Sequence, residues 1–538
     1  MRFTPLFLFI FLFACNEKEP VDLLVVNAEI YTVDSNFSLA QAMAIKNGKI
    51  IAVGKSEEIQ QKYSSKSTLN AKGKTILPGL IDAHCHFFGL GLQQQKVDVS
   101  ETKSFAEVVK RIVEFQKEKQ VSYITGRGWD QNDWEVKEFP DKRILDRLFP
   151  ETPVAMTRID GHALLANQKA LELAGITTET SVSGGKIEKK DGKLTGVLID
   201  NAMEMVYKSI PKPSKEESVT ALMQAQEICL GYGLTTVDDA GLEKETIQLI
   251  DSLQKSGDLK IRIYAMAIAT PENVDFYLKN GPVKTDRLHV RSFKIYADGA
   301  LGSRGAVLKE PYSDMPHHFG TMLIGINEFK KLAGRIQDSK FQANTHAIGD
   351  SANAVVLRTY DSLLTENKDR RWRVEHAQII DAEDFHYFSK NIIPSVQPTH
   401  ATSDMYWAED RLGPKRIKNA YAFNKLLEQA GIVALGTDFP VEKVSPFLTF
   451  YAAVSRKDLK GFPPNGFQPE NALSREETLK GMTIWAAYAN FEENEKGSLE
   501  PGKFADFVIL NQNIMEVEIS KIPKTQVLAT YISGEKVH

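Results

Sequence analysis

The segment Asp82-Ala83-His84-Cys85-His86 places two imidazoles on alternate residues, directly after the apolar run 76–81. Because side chains i and i+2 of a strand point to the same face, His84 and His86 can bind one cation together at a strand end. For so short a motif, two ordinary polar histidines at a strand end are the alternative interpretation. The rest of the chain has to decide between a metal site and a structural pair.

Seven further apolar runs follow, at spacings that leave room for helices. The eight predicted strands are 76–84, 234–238, 261–267, 290–296, 341–346, 372–376, 392–397 and 431–438. Alternating strands and helices favour a parallel sheet, and eight of them favour a closed (β/α)8 TIM-like barrel, an α/β fold. The interval after the first strand is too long for one crossover helix. Residues about 100–215 are therefore expected to form an insertion with strands of its own, overhanging the active face.

Both ends of the chain outside the barrel are rich in predicted strands and turns. Residues 16–75 contain the hairpin signal Asn47-Gly48 between two apolar runs, and residues 496–538 contain further strands. Neither piece is large enough to form a core alone. We expect them to combine into one composite β-sandwich domain beside a barrel of residues 76–495.

Polar residues capable of metal binding follow five of the predicted barrel strands. They are His84, His86, Lys294, His346, His376 and Asp438. Barrel enzymes hold their chemistry at the carboxyl ends of the strands, where all six would lie. Imidazole and carboxylate donors suit Zn²⁺, with Mn²⁺ or Fe²⁺ as alternatives. The set as a whole predicts a metal centre.

Five motifs around these residues resemble amidohydrolase family 3 of the metal-dependent amidohydrolase superfamily, a group that includes N-substituted formamide deformylases. The motifs are 77–86, 293–304, 345–350, 373–377 and 436–441. The resemblance extends from about Leu23 to the last strands. It implies a metal-dependent hydrolase with two metal ions in the barrel.

The resemblance also implies a ligand set. His84, His86 and Asp438 would hold one ion, and His346 and His376 the second. A carboxylated Lys294 would bridge the two, which are expected to be Zn²⁺. A lysine ammonium, with an ordinary pKa of about 10.4, cannot bind a cation, so two dications would have to favour the neutral amine that takes up CO₂. A salt bridge or a substrate anchor beside a single ion is the alternative for this lysine.

The ligands suggest a mechanism. The metals are expected to lower the pKa of bound water, so that hydroxide attacks a carbonyl and the metal stabilises the oxyanion. Asp438 is the expected catalytic residue, first as general base and then as general acid toward the leaving nitrogen. The predicted reaction is cleavage of a C–N bond in an amide, N-formyl or cyclic amide group. Alternatives are a deaminase or esterase on the same scaffold, or a non-catalytic surface-binding lipoprotein.

Seven more residues lie on predicted loops at the active end or in the insertion. They are Trp129, Asp130, Asp160, His162, Asp298, Arg304 and His400. Substrate contacts and loop-ordering hydrogen bonds explain each of them equally well. His162 and Arg304 in particular could bind a substrate carbonyl or carboxylate.

Residues 1–15 combine one positive charge, an apolar run and a small residue before Cys15, the pattern of a signal peptide. The last four of them resemble a bacterial lipobox, which implies a lipidated Cys15 that attaches the protein to a membrane of the bacterial cell envelope, periplasmic or surface-exposed. An ordinary cleaved signal or an uncleaved anchor is the alternative. Cys85 and Cys229 are too few for a disulfide framework and are expected to be free.

Composition narrows the choice of partners. The 538 residues are 42% hydrophobic and 25% charged, with a formal net charge of −4 and no basic block. Such a balance gives no electrostatic reason to expect nucleic acid. A small-molecule substrate is expected, and a homodimer is compatible with the sequence.

Overall fold

The computed structural model describes residues 18–159, 161–182, 185–364 and 369–538. The chain divides into two compact units, one of residues up to 87 together with those from 226 onward, the other of residues 88–225. The predicted signal segment with Cys15, and also Asp160, lie outside the described residues. Within the described part of the chain, no helix has the length and apolar character needed to cross a membrane.

Eight parallel strands in chain order form the barrel of the first unit. They are Leu80–Cys85, Leu234–Leu242, Arg262–Ile268, Leu288–Tyr296, Gln342–Ala347, Arg373–His376, Ile393–Val396 and Ala434–Leu435. The helices of this unit are Ser56–Lys62, Lys244–Ser256, Pro271–Asn280, Ile326–Gln337, Asp350–Leu363, Pro398–Asp404, Ala408–Arg416, Phe423–Ala430, Pro446–Ser455, Arg475–Gly481 and Ile484–Ala489. The predicted (β/α)8 fold is confirmed.

The segment after the eighth strand meets the first strand through backbone hydrogen bonds. The Asp438 N–H donates to the His84 carbonyl at 2.8 Å, and the His86 N–H donates to the Phe439 carbonyl at 2.8 Å. Gly436 permits this close approach, because a Cβ there would lie 2.5 Å from the His84 nitrogen. The closure of the barrel thus brings the first and last predicted ligands together.

Strands from both chain ends form two further sheets. The four-stranded sheet contains Lys49–Gly54, Ala42–Lys46, Leu23–Val26 and Thr68–Asn70, and the six-stranded sheet contains Glu535–Lys536, Val527–Ile532, Phe507–Leu510, Thr75–Pro78, Glu29–Tyr31 and Leu39–Ala40. Val25 and Ile45 of the first sheet share one buried cluster with Ile76 and Phe507 of the second. The expected extra sheet domain, built from both ends of the chain, is therefore present.

The predicted first strand, 76–84, is in fact two strands. Thr75–Pro78 pairs with Phe507–Leu510 in the terminal sheet, whereas the barrel strand begins at Leu80. A Cβ on Gly79 would lie 2.2 Å from Thr235 Oγ1, so a side chain cannot be accommodated where the chain changes sheets. Both strands are fully buried, and the apolar run therefore continues across the change without a polar break.

The second unit contains a six-stranded sheet. Its strands are Val97–Asp98, Ile124–Trp129, Val154–Arg158, Ala163–Ala166, Lys193–Asp200 and Gly185–Lys190. The helix Phe87–Gln93 leads into this unit, its other helices are Phe105–Lys119, Arg143–Leu148, Gln168–Leu173 and Met203–Ser209, and Lys215–Gly231 leads back to the barrel. The insertion expected at about 100–215 is thus longer at both ends.

The terminal sheets are joined to the amino end of the barrel by a buried ion pair. Arg262 begins the third barrel strand, and its Nε and Nη2 donate to the two carboxylate oxygens of Asp506 at 2.6 and 2.9 Å. Nη2 also donates to Ser533 Oγ at 2.8 Å. Both charges of the pair are nearly inaccessible to solvent.

Candidate metal centre

Three predicted ligands converge at the carboxyl end of the barrel. Asp438 Oδ1 lies 3.2 Å from His86 Nε2 and 3.8 Å from His84 Nε2. One donor atom from each of these residues lies within 4.8 Å of the others. These are the three residues that the sequence resemblance assigns to the first metal ion.

A second group of donors shares the carboxylate of Asp438. His376, His400 and Asp438 also offer donor atoms within 4.8 Å of one another. The ring of His346 lies beside this group, with its centroid 4.4 Å from that of His376. His400, which the sequence suggests as a substrate residue, therefore lies beside the metal-binding candidates, in contact with Asp438.

The side chain of Lys294 lies beside the imidazole of His84. Its Nζ is 3.0 Å from His84 Nε2 and 5.1 Å from the centroid of the Tyr296 ring. Burial lowers the pKa of Lys294 to about 8, against the opposing effect of the Glu375 and Asp438 charges. The neutral amine form is therefore a much larger fraction of Lys294 near pH 7 than of an exposed lysine.

The other ring nitrogen of three histidines is held by an oxygen acceptor. The contacts are His84 Nδ1 to Glu375 Oε2 at 2.5 Å, His86 Nδ1 to the Ala240 carbonyl at 2.9 Å, and His376 Nδ1 to Gln397 Oε1 at 2.8 Å. An acceptor oxygen requires a proton on Nδ1, which leaves the Nε2 lone pair free to bind a cation. These contacts orient the imidazoles as a metal site needs them.

The charges at the site favour metal binding. Burial lowers the pKa of His84 to about 4 and that of His346 to about 3, so both rings are neutral near pH 7. Burial alone would raise the pKa of Asp438, but the neighbouring imidazoles of His400 and His86 hold it well below its usual range. Asp438 Oδ1 is buried and has no hydrogen-bond partner among the described residues. A divalent cation would satisfy this oxygen, and the donor set therefore fits one.

The backbone at two ligands departs from regular strand geometry. Glu375 faces into the barrel, where it contacts His84, so strand alternation would direct the next side chain outward. His376 instead has a φ of 71°, a left-handed conformation, and its ring joins the cluster. Asp438 has a φ of 63°. Such conformations cost on the order of 1–3 kcal/mol each, and here they accompany the convergence of ligands.

Glu375 is itself held by a buried arginine. Arg373 Nε lies 2.7 Å from Glu375 Oε1, and its Nη1 donates to Asp238 at 2.8 Å. Burial would raise the pKa of Glu375, but the Arg373 charge and the contact with His84 lower it to about 2. The carboxylate thus stays ionised and keeps His84 in place.

Asp82, the first residue of the opening motif, connects the two ends of the barrel sheet. Its carboxylate accepts hydrogen bonds from Thr437 N at 3.0 Å, from Thr437 Oγ1 at 2.7 Å and from His84 N at 3.2 Å. Its contacts fix the position of Asp438 relative to His84.

Two of the substrate candidates in the barrel loops make loop-ordering contacts. Asp298 accepts hydrogen bonds from the backbone of Val307, Ile348 and Gly349 at 2.8 to 3.0 Å, and its Oδ1 lies 3.7 Å from His346 Nε2. Arg304 pairs with Asp314 at 2.7 Å.

The described substrate candidates in the insertion make contacts within that unit. Trp129 is buried, and its indole N–H donates to the Met156 carbonyl at 2.7 Å. Asp130 accepts from Arg158 Nη2 at 2.5 Å and caps a short helical turn. His162 is exposed, with Nδ1 2.9 Å from Asp200 Oδ1. Such contacts are what we expect if Trp129, Asp130 and His162 order their loops rather than contact a substrate.

Sequence reasoning missed several residues of the site. Glu375 and Gln397 orient His84 and His376, and Glu442 contacts His400 Nδ1 at 3.2 Å. Tyr296 lies beside Lys294, two residues along the same strand, and that spacing was a usable signal. Glu375 and Gln397 had no comparable signal, since Glu375 lies inside the motif 373–377 but next to its ligand, and Gln397 lies at the end of a predicted strand outside all five motifs.

A barrel that gathers imidazoles, a carboxylate and a buried lysine at the carboxyl ends of its strands has the architecture of a metal-dependent hydrolase. The model of the amidohydrolase family matches residues 67–538. The chain therefore belongs to the amidohydrolase family, as the sequence motifs predicted.

Individual relatives cover nearly the whole chain. It is 35% identical to the Arabidopsis thaliana protein LONG AFTER FAR-RED 3, over 96% of this chain and 91% of that protein. It is 25% identical to the N-substituted formamide deformylase of Arthrobacter pascens, over 95% and 97% respectively. Among solved structures, an uncharacterized metal-dependent hydrolase from Pyrococcus horikoshii superposes with a TM-score of 0.80 at 28% identity, over 92% of this chain and 99% of that one.

Proposed function

We propose that this protein hydrolyses a C–N bond of a small molecule, in an amide, N-formyl or cyclic amide group. The observation that carries the proposal is the position of Asp438. One of its oxygens faces the imidazoles of His84 and His86, and the other contacts His400 at 3.2 Å. The similarity to an N-substituted formamide deformylase supports the same bond class.

The carboxylate of Asp438 can transfer a proton without changing its own position. Divalent ions, when bound, supply Lewis acidity and lower the pKa of water. The ionised carboxylate of Asp438 accepts the proton that the attacking water loses and returns it to the leaving nitrogen. An amine leaves poorly unless it is protonated, so a carboxylate that returns the proton suits C–N cleavage. His84 and His346, which burial keeps neutral, hold their ligand positions without competing for that proton.

The proposed cofactor is a pair of Zn²⁺ ions. His84, His86 and Asp438 would hold one, His346 and His376 the other, and a carboxylated Lys294 would bridge them. The burial of Lys294, its lowered pKa and its 3.0 Å distance from His84 Nε2 support this arrangement.

A Lys294→Ala variant tests the bridge. It should lose most of its metal and activity, and a short carboxylic acid such as propionate should partly restore both by replacing the carbamate. Two ions per chain in the Lys294→Ala protein without added acid would contradict the bridge.

We also propose that Cys15 carries a lipid anchor that holds the protein in the bacterial cell envelope. The lipobox-like segment supports this placement. Mass spectrometry of the mature amino terminus, with Cys15→Ser as the control, would decide it. An unmodified Cys15 in membrane-extracted protein would contradict the anchor.

The reaction class is tested by a hydrolysis screen of zinc-loaded protein. The panel should contain N-substituted formamides, linear and cyclic amides, esters and amino-purines, with Asp438→Asn as the matched control. Turnover of a formamide or amide by the wild type alone is expected. Turnover confined to esters would favour the esterase alternative, and ammonia release from amino-purines the deaminase alternative. A zinc-replete protein inert on the whole panel would favour a binding protein.

A further inference from the structure

His400 lies between two carboxylates. Its Nε2 contacts Asp438 Oδ2 at 3.2 Å, and its Nδ1 contacts Glu442 Oε1 at 3.2 Å. An ionised carboxylate only accepts hydrogen bonds, so each ring nitrogen donates to one of them. The imidazole is mostly buried, with 13% of its side chain exposed, and it therefore has little freedom to turn toward solvent.

The local structure holds Glu442 in this position. Ser403, one turn after His400 on the helix Pro398–Asp404, donates its hydroxyl to the same Glu442 Oε1 at 2.6 Å. A tight turn after the eighth strand, closed by the Val441 N–H and the Asp438 carbonyl at 2.9 Å, brings Glu442 back toward this helix. One carboxylate oxygen thus receives two donors from successive turns on one face of the helix.

We infer that Glu442 is a positioning residue of the metal centre, acting through His400. Glu442 fixes the His400 ring, and the ring holds Asp438 Oδ2. The remaining oxygen, Oδ1, is then directed to the side where His84 and His86 lie, 3.8 and 3.2 Å away. The inference rests on the proposed function only in its use of Asp438 as a metal ligand.

This role differs from that of an ordinary surface glutamate. A surface ion pair contributes little to stability and nothing to a distant site. Contacts that orient metal ligands, by contrast, are worth about 10- to 100-fold in metal affinity or activity when they are lost. The two roles therefore predict different results for metal binding.

The test uses five variants of the full chain, three single variants here and two more in the double-mutant cycle below, titrated with Co²⁺ and followed by visible absorption. Glu442→Ala removes the acceptor of His400 and should weaken Co²⁺ binding about tenfold. Glu442→Gln keeps an oxygen at the same place and should restore affinity to within about threefold of the wild type. Glu428→Ala, an exposed glutamate on another helix, is the matched control and should bind like the wild type.

A double-mutant cycle separates action through His400 from an independent effect. If Glu442 acts through His400, adding Glu442→Ala to His400→Ala should weaken Co²⁺ binding no further. Losses that multiply in the double mutant would overturn the inference, and so would wild-type affinity in Glu442→Ala. Thermal unfolding of the metal-free variants shows whether a loss of affinity is merely a loss of folded protein.

Activity provides the second readout. In any substrate that the wild type hydrolyses, Glu442→Ala should lower kcat about tenfold or more with little change in KM, and Glu442→Gln should recover most of it. If the wild type binds Co²⁺ but hydrolyses nothing, the proposed function fails, while the Co²⁺ affinities still decide whether Glu442 positions the site. If hydrolysis occurs but the affinities of the Glu442 variants are unchanged, the positioning role alone is rejected.

Discussion

The two ends of the barrel use buried charge in opposite ways. At the amino end, Arg262 and Asp506 satisfy each other through two hydrogen bonds, and Ser533 Oγ accepts a further hydrogen bond from Arg262. At the carboxyl end, the buried Asp438 Oδ1 has no hydrogen-bond partner within the described residues, and the backbone at this residue is left-handed. Buried charges that are fully hydrogen-bonded stabilise the fold, whereas a buried carboxylate oxygen without a hydrogen-bond partner stays available to bind a ligand. The carboxyl end is therefore built for a bound cation.

Removal of metal should produce the largest difference between the two ends. Exhaustive chelation is expected to abolish hydrolysis, because the carboxyl end then lacks the ion that its ligands are arranged to hold. Far-UV circular dichroism should remain that of a folded protein, because the amino end needs no ion. Activity should return when Zn²⁺ is added. Full activity in protein with less than about one ion per ten chains would contradict a metal-dependent site.

The substitution Asp438→Asn should have the next largest effect. An amide cannot accept and return a proton, so kcat is expected to fall about 10²- to 10⁴-fold while the fold is retained. Steady-state kinetics and metal analysis of the same preparation measure both properties. If Asp438→Asn retained near wild-type kcat, another residue would have to carry the proton.

A smaller effect is expected for Glu375→Gln, which changes the support of a ligand rather than a ligand. The amide of this variant accepts the His84 Nδ1–H hydrogen bond less strongly than the carboxylate does. It also carries no charge to pair with Arg373, which keeps its contact with Asp238. We expect a loss of about 10- to 100-fold in metal affinity or activity. Zinc competition assays would measure the first quantity. An unchanged zinc affinity and kcat would show that Glu375 serves packing alone.

Loss of the ion pair at the amino end of the barrel should lower the stability of the protein without changing its catalysis. Asp506→Asn leaves the Arg262 charge buried without its counterion, which is expected to lower the free energy of unfolding by about 3 kcal/mol. The kcat of the folded variant should stay within about twofold of wild type, since the pair lies at the opposite end of the barrel. Urea denaturation and kinetics give the two numbers. A large drop in kcat with unchanged stability would contradict the division between the ends.

The same pair predicts a pH dependence. Burial alone would raise the pKa of Asp506, but the Arg262 charge and its hydrogen bonds lower it below the usual value. The stabilisation is therefore fully present above the unfolded pKa of about 3.9 and is lost as the pH falls through the lower folded pKa. The gap in unfolding free energy between the wild type and Asp506→Asn should begin to narrow below about pH 4. A gap that does not narrow between about pH 5 and pH 3 would mean that the pair does not stabilise through its charge.

The sequence was most informative where chemistry coincides with strand periodicity. Eight apolar runs with room for helices between them predicted the barrel, and polar residues at the ends of five of those strands predicted a metal centre at its carboxyl end. Glu375 could not be found in this way, because alternation assigns it to the opposite face from His376 until the φ of 71° is known. The division of the first strand at Gly79 was also hidden, since both halves are buried.

Contacts formed by loops were out of reach for a different reason. Glu442 and His400 are recognised as partners only when the turn after the eighth strand and the helix after the seventh have been placed. No local pattern encodes that distance. The insertion, likewise, could be recognised by its length but not by the hydrogen bonds of Trp129 or Asp130.

The hydrogen bonds between Asp82 and Thr437 join residues 355 positions apart, which sets the order of events when the protein is made. At a synthesis rate of about 5–20 residues per second, Thr437 emerges roughly 20–70 s after Asp82. During that interval His84 and His86 exist without Asp438, their carboxylate partner. The donor set that these three residues form can therefore be complete only late in synthesis, after most of the barrel has already been made.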